Sequence, residues 1–190
     1  NGTRKFIMVQ IPEETDAKSN ARKAGFRTIC EIGKERIRRA GKKIKEDSPL
    51  TTQELDTGFR VFKCDSSNMK DVYYNPAEYE PSLFTSLEDN IKEDRTSEDL
   101  LFQVMLDLGV LLSSKIEETT IAGKKVFNVE DNYLIACFDD NVTEEAITEI
   151  AKQKPYYFVM RDSSMANDSV ATNFEQIFAA YSPDTVRKVL

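Results

Sequence analysis

Histidine is absent from this chain of 190 residues, and with it go the commonest general base and the commonest zinc ligand. Ser-His-Asp and Cys-His mechanisms are excluded within it. Neither G-x-G-x-x-G nor G-x-x-x-x-G-K-S/T occurs, so no dinucleotide or nucleoside triphosphate loop is encoded. The three cysteines, Cys30, Cys64 and Cys137, form no C-x-x-C pair and sit in apolar-periodic segments, the pattern of reduced core thiols. There is no uninterrupted apolar stretch of about 18 residues and no charged-then-apolar leader, so neither a membrane span nor secretion is expected. The expected location is the cytoplasm. Positive charge is in deficit: 33 acidic side chains face 26 basic ones, a net charge of −7. The whole-chain field therefore repels nucleic acid, and any DNA role must be local.

What is present is enough for a real core. With 40% apolar residues, the chain suits one large domain or two small ones. The run "RKFIMVQIPEE" (residues 4 to 14) is apolar from Phe6 to Ile11 and closes on Gln10, Pro12 and Glu13, which predicts a buried strand ending at a polar corner. Thr28 and Glu31 stand in capping-box spacing. Beyond them Ile29, Gly33, Ile37, Ala40 and Ile44 fall on one helical stripe. "GFRVFKCD" (58 to 65) alternates Phe59 and Val61 with Arg60 and Lys63, predicting a second strand. Residues 1–65 thus predict a strand-helix-strand unit of a parallel sheet, which needs helices on both faces and further strands to be buried.

Residues 66–96 are rich in acids, Asn and Pro and predict a linker or surface excursion. From 97 to 190 a small α+β domain is expected. Ser97 would cap a helix carrying Leu100, Leu101, Val104, Met105, Leu108 and Leu111. Two strands follow around Gly123, then a buried strand in "NYLIACFDD", a helix in "TEEAITEIAKQK", a strand in "PYYFVMRD" and a final helix in "VATNFEQIFAAY".

At the end of the first predicted strand, where open α/β sheets bind ligands, Gln10 is placed to meet ribose hydroxyls or merely to satisfy the sheet end. Glu13 and Asp65 read first as solvated strand-terminating acids and only second as ligand contacts. The stretch from Lys34 to Lys45 holds seven cations against Glu35. It fits a phosphate backbone, or simply the wet face of a covering helix.

The blocks "RKFIMVQIPE", "AGFRTICEIGKERIRRAGKKIKE", "LDTGFRVFKCDSSN", "IAGKKVFNVEDNYLIACFDD" and "YYFVMRDSSMANDSVATNFEQIF" together resemble the C-terminal part of the modification subunit of type III restriction-modification systems, site-specific DNA adenine-N6 methyltransferases. The resemblance covers nearly the whole chain and is most specific over 25–45. It implies an α/β class: the C-terminal strands and helix of a Rossmann-like methyltransferase sheet, followed by a small α+β domain. It further implies S-adenosylmethionine as cofactor, DNA as substrate, a restriction nuclease-helicase subunit as partner, and a modification homodimer as a further assembly. Carried onto this sequence, cofactor contacts would come from Gln10 with Pro12 and Glu13 beside it, and from Asp65 at the end of the next strand. Phosphate contacts, by the charge of the basic run and not by the resemblance, would come from Lys34, Arg38, Arg39, Lys42 and Lys43. The family's D-P-P-Y and F-x-G-x-G loops are not found in these residues, so no residue is assigned a catalytic role and the fragment alone is expected to be inactive. The alternative is a non-catalytic assembly module.

Overall fold

The computed structural model describes residues 5–70, 90–165 and 167–190 and divides into two units, Asn1–Phe62 and Lys63–Leu190. Each unit is built on its own local logic.

In the first unit, helix α1 (Asn20–Lys23) is a single turn, and α2 (Ile29–Asp47) is the long helix that the periodicity predicts. Thr28 starts α2 through a reciprocal capping box: Glu31 N–H donates to the Thr28 hydroxyl at 3.4 Å, and Thr28 N–H donates to the Glu31 carboxylate at 3.3 Å. Two orphan amide donors are thereby satisfied. The carboxylate also accepts from Arg27 N–H, and these backbone donors hold the Glu31 pKa below its ordinary value. The chain before α2 is clipped onto its first turn. Ile29 N–H donates to Glu13 O at 3.0 Å, Thr15 N–H to Arg27 O at 2.9 Å, and Glu14 and Thr28 form an antiparallel bridge.

The flanking strands predicted at 6–11 and 58–65 do not form; neither segment takes up strand structure among the described residues. Ile7 and Val9 are each 93% exposed. A strand is defined by its neighbours, and none of the described residues supplies them. The apolar stripe of α2 is only partly covered: Gly33 and Ile37 are half-buried, whereas Ile29 is 39% and Ile44 49% exposed. Gly41 alone among the α2 residues is buried. There Thr57 crosses the helix so closely that a methyl on Gly41 would lie 2.9 Å from Thr57 Cβ.

The second unit is a five-stranded sheet in the order β1 to β5: Ile116–Ile121, Lys124–Val129, Leu134–Cys137, Tyr157–Met160 and Val186–Val189. The first three pair antiparallel and the last three parallel. Parallel neighbours need crossovers, and α4 (Glu144–Lys152) and α5 (Asp168–Tyr181) provide them, started by Thr143 and Asn167 caps. Side-chain alternation separates two cores. Ile135, Cys137, Phe158 and Met160 face α4 and α5. Leu134, Ala136 and Val159 face α3 (Ser97–Asp107), which brings Leu100, Leu101, Val104 and Met105. The result is three layers, helix pair, sheet and helix.

Several expectations are corrected in detail. Thr96, not Ser97, caps α3, in a box with Asp99. Leu111 lies beyond α3 and is exposed. Cys137 is buried, but Cys30 is only half-buried and Cys64 is exposed, so one of the three cysteines is a core thiol. Of the excursion predicted for 66–96, residues 71–89 lie outside the described residues. The two ends beside them meet: Met69 and Ile91 form an antiparallel bridge, with Lys70 N–H donating to Asn90 O at 2.7 Å and Lys92 N–H to Asn68 O at 2.9 Å. Among the described residues no helix is long and apolar enough to cross a membrane, and no group of three or more Cys, Asp and Glu is placed to hold a metal ion.

Candidate functional site

Gln10, Pro12 and Glu13 are exposed and fall together at the start of α2. The Gln10 carbonyl accepts from the Cys30 thiol at 3.5 Å, and its side-chain amide donates to Ile11 O at 3.1 Å. Glu13 is held by its backbone, through the bond from Ile29, while its carboxylate faces solvent. The fold therefore anchors this corner by main chain and leaves the side chains available.

Asp65 belongs to the second unit and is already engaged. Ser66 N–H donates to one carboxylate oxygen at 2.7 Å, and Arg95 Nη1 stands 3.5 Å from the other. The Ser66 amide first, and the Arg95 guanidinium second, hold its pKa below the ordinary carboxylate value. Arg95 also donates to Ser66 Oγ at 2.8 Å, so this group clamps the start of the second unit onto the chain before α3.

The cations of α2 are unequally free. Glu35 takes Arg39 at 2.7 Å and approaches Arg38 at 3.9 Å, and Lys42 stands 3.7 Å from Glu46. Arg38 also lies over the Phe59 ring, 5.6 Å from its centroid. Lys34 and Lys43 form no ion pair among the described residues. The helix as a whole carries seven cations and four anions, so its net charge is +3 and its field is weaker than the cation run alone suggests.

Charge divides with the fold. Residues 1–62 hold 14 basic and 9 acidic side chains, a net of +5, whereas residues 63–190 hold 12 and 24, a net of −12. The net charge of the whole chain conceals this opposition. A feature that the sequence reading passed over lies in the acidic unit: Tyr133, Tyr156 and Tyr181 are all large, exposed rings, with Tyr156 stacked on Tyr133 at 5.4 Å between centroids. The signal was available in "NYLIACFDD" and "PYYFVMRD", where aromatic residues stand at the amino end of buried strands, a position outside the core.

A capped basic helix in one unit and an acidic, doubly covered sheet in the other define an α/β chain of segregated charge, without a complete catalytic constellation among its described residues. Its relatives give the family. The chain is 31% identical over 175 residues to the Mod subunit of the Type III restriction-modification enzyme EcoP15I of Escherichia coli, an overlap of 90% of this chain and 24% of that relative. Over 62 residues it is 39% identical to the StyLTI Mod subunit of Salmonella typhimurium, an overlap of 33% of this chain and 9% of that one. No family model matches. By these relatives the chain corresponds to a fragment of a Type III restriction-modification Mod subunit, and it spans about a quarter of the length of the first of them.

Proposed function

We propose that this chain is a piece of a site-specific DNA adenine-N6 methyltransferase subunit that works with S-adenosylmethionine within a type III restriction-modification system. The observation that carries the reading is the uncovered apolar surface of the first unit: Phe6 to Ile11, with Ile29 and Ile44 of the α2 stripe, are exposed, as expected for a strand and covering helix whose sheet is completed by other residues of a longer subunit. In that setting the corner at Gln10 falls at a strand end, where α/β sheets receive ligands.

The residues present fit one part of the cofactor, its ribose. The Gln10 amide retains an N–H and its carbonyl oxygen after bonding Ile11, enough to accept from one hydroxyl and donate to another. The bound cofactor supplies the methyl group. Gln10 orients its sugar, Glu13 adds a second acceptor, and Lys34, Arg38, Arg39, Lys42 and Lys43 lie along the DNA phosphates. Asp65, committed to Ser66 and Arg95, is the weakest of the proposed cofactor contacts. The second unit serves assembly, with the nuclease-helicase subunit or a second modification subunit. Its net charge of −12 favours a protein over a DNA partner there, which also supports the reading of this part as an interaction module.

The test is labelled-methyl incorporation by the 190-residue chain, with calorimetry on the complete subunit carrying Gln10→Ala. No incorporation by the chain is expected, because the D-P-P-Y and F-x-G-x-G loops are not in it. The mutant subunit should lose cofactor affinity with little change in DNA binding, by about three- to tenfold for one or two hydrogen bonds. Turnover by the chain, or unchanged affinity in the mutant, would overturn the assignment.

A further inference from the structure

We propose that the tyrosine-lined concavity at the amino ends of β4 and β5 captures an arginine presented by a partner protein. The proposal rests on the second unit alone and stands whether or not the methyl-transfer reading holds. The concavity measures about 370 Å³ and is walled by Pro155, Tyr156, Tyr181 and Pro183, with Lys154 and Asp184 on its rim. Tyr156 is 54% and Tyr181 45% exposed, an unusual amount of ring surface to leave in water at one place.

The rings are held in advance. Tyr133 stacks on Tyr156 with its plane only 3° away, and Tyr157 meets the same ring edge-on at 4.8 Å. The backbone beneath is equally fixed: Tyr156 N–H donates to Asn132 O at 3.0 Å, Val186 N–H to Tyr156 O at 2.8 Å, and the buried Thr185 hydroxyl to Pro155 O at 2.6 Å. A ligand entering here orders little, so more of its contact energy appears as affinity.

The chemistry selects a cation that is flat. A tyrosine face attracts positive charge, and the fold already shows this contact, with Lys152 Nζ 5.8 Å from the Tyr181 centroid. Asp184 forms no ion pair among the described residues and offers a carboxylate on the rim. A guanidinium stacks on an aromatic face and forks onto a carboxylate at once, which an ammonium cannot do. Lys154 on the same rim supplies a donor for the backbone carbonyl beside that arginine. A nucleic-acid strand would also stack on these rings, but the unit's net charge of −12 opposes its phosphates and favours a basic protein surface.

The experiment is fluorescence anisotropy of the full chain with three labelled probes: a blocked Ala-Arg-Ala-Arg-Ala peptide, its lysine counterpart and an oligothymidylate. The arginine peptide should bind several-fold more tightly than the lysine peptide, and Tyr156→Ala and Tyr181→Ala should each weaken it by about fivefold, with Tyr156→Phe retaining binding. Both alanine variants keep the charge, so association that is merely electrostatic would survive them. Should Tyr156→Ala lose its fold by circular dichroism, Tyr181→Ala decides, because its removal leaves the Tyr133 and Tyr156 stack intact. Equal binding of the two peptides, undiminished binding by the variants, or no binding would overturn the proposal. Preferential binding of the oligonucleotide would overturn it too and assign the patch to single-stranded nucleic acid.

Discussion

Glu35→Gln should strengthen DNA binding by the complete subunit, and the structure sets the size of the effect. In α2 this one carboxylate holds Arg39 at 2.7 Å and stands 3.9 Å from Arg38. Both guanidinium groups are mostly exposed, while the Glu35 side chain is 31% exposed. The pairs are therefore weak as stability elements, yet they occupy two of the five cations proposed to meet phosphate. Removing the charge while keeping the shape raises the helix from +3 to +4 and releases Arg39 outright. If one more phosphate is neutralised, the slope of log K against log salt steepens by about 0.9, which at about 0.15 M salt corresponds to roughly fivefold in affinity. Titration of a labelled duplex across roughly 0.05–0.3 M salt reads both quantities, and circular dichroism checks that α2 survives. The difference in slope does not depend on what other parts of the subunit contribute. An unchanged slope would show that α2 does not lie on the phosphate backbone, and the run would be the wet face of a covering helix.

Other outcomes follow from the same geometry. Cys137, whose thiol is pushed up to about 11 by burial, should resist alkylation in the folded chain at pH 8 while exposed Cys64 reacts at once; equal rates would contradict the buried placement. Its proton is held more tightly in the folded state, so stability should fall as pH rises from about 9 towards 11. The loss should be on the order of 2 kcal/mol, and denaturation of Cys137→Ala should lack it. Phe178→Ala removes a ring packed 5.3 Å from Phe158 and 5.2 Å from Phe174 and should cost about 3–5 kcal/mol in urea unfolding. Gly41→Ala sets a gain in helix propensity of up to about 1 kcal/mol against a 2.9 Å approach to Thr57 Cβ; overpacking of about 1–3 kcal/mol should win, and Thr57→Gly should relieve it. Limited proteolysis should cut first between 66 and 96, where eight acids face two bases from Pro76 to Asp99.

The second unit was legible because its periods agree with its burial. Leu134 to Cys137 reads as a continuous apolar run and is buried throughout, and the α4 stripe of Ala146, Ile147, Ile150 and Ala151 is the face that packs. β5 was not legible. Val186–Val189 is a polar edge strand that is largely exposed, and only pairing with β4 makes it a strand. Phe6 to Ile11 failed in the opposite sense: its composition suits a buried strand, but strand formation depends on partners that no local pattern contains. For the candidate site, the residue types at Gln10 and along α2 were visible in the sequence, and so was the spacing by which Glu35 meets Arg38 and Arg39 on one helix face, whereas the engagement of Asp65 by Arg95, 30 residues away, is a tertiary fact. The tyrosine patch escaped because periodicity assigns an aromatic residue to the core, whereas Tyr133 and Tyr156 sit just before the strands that periodicity marks and Tyr181 closes α5.

The bridge between Met69 and Ile91 gives this protein a place where its length can change. Because Met69 and Ile91 meet as one antiparallel pair, a connection between them needs only to close a gap already closed. Doubling such a connection costs about 0.6 kcal/mol of closure entropy, little beside the cores on either side of the sheet. A change of length between these two residues leaves the bridge itself the same span to close, so an engineer who places a reporter, a cleavage site or a new pair of termini there meets only that small entropic cost at the bridge.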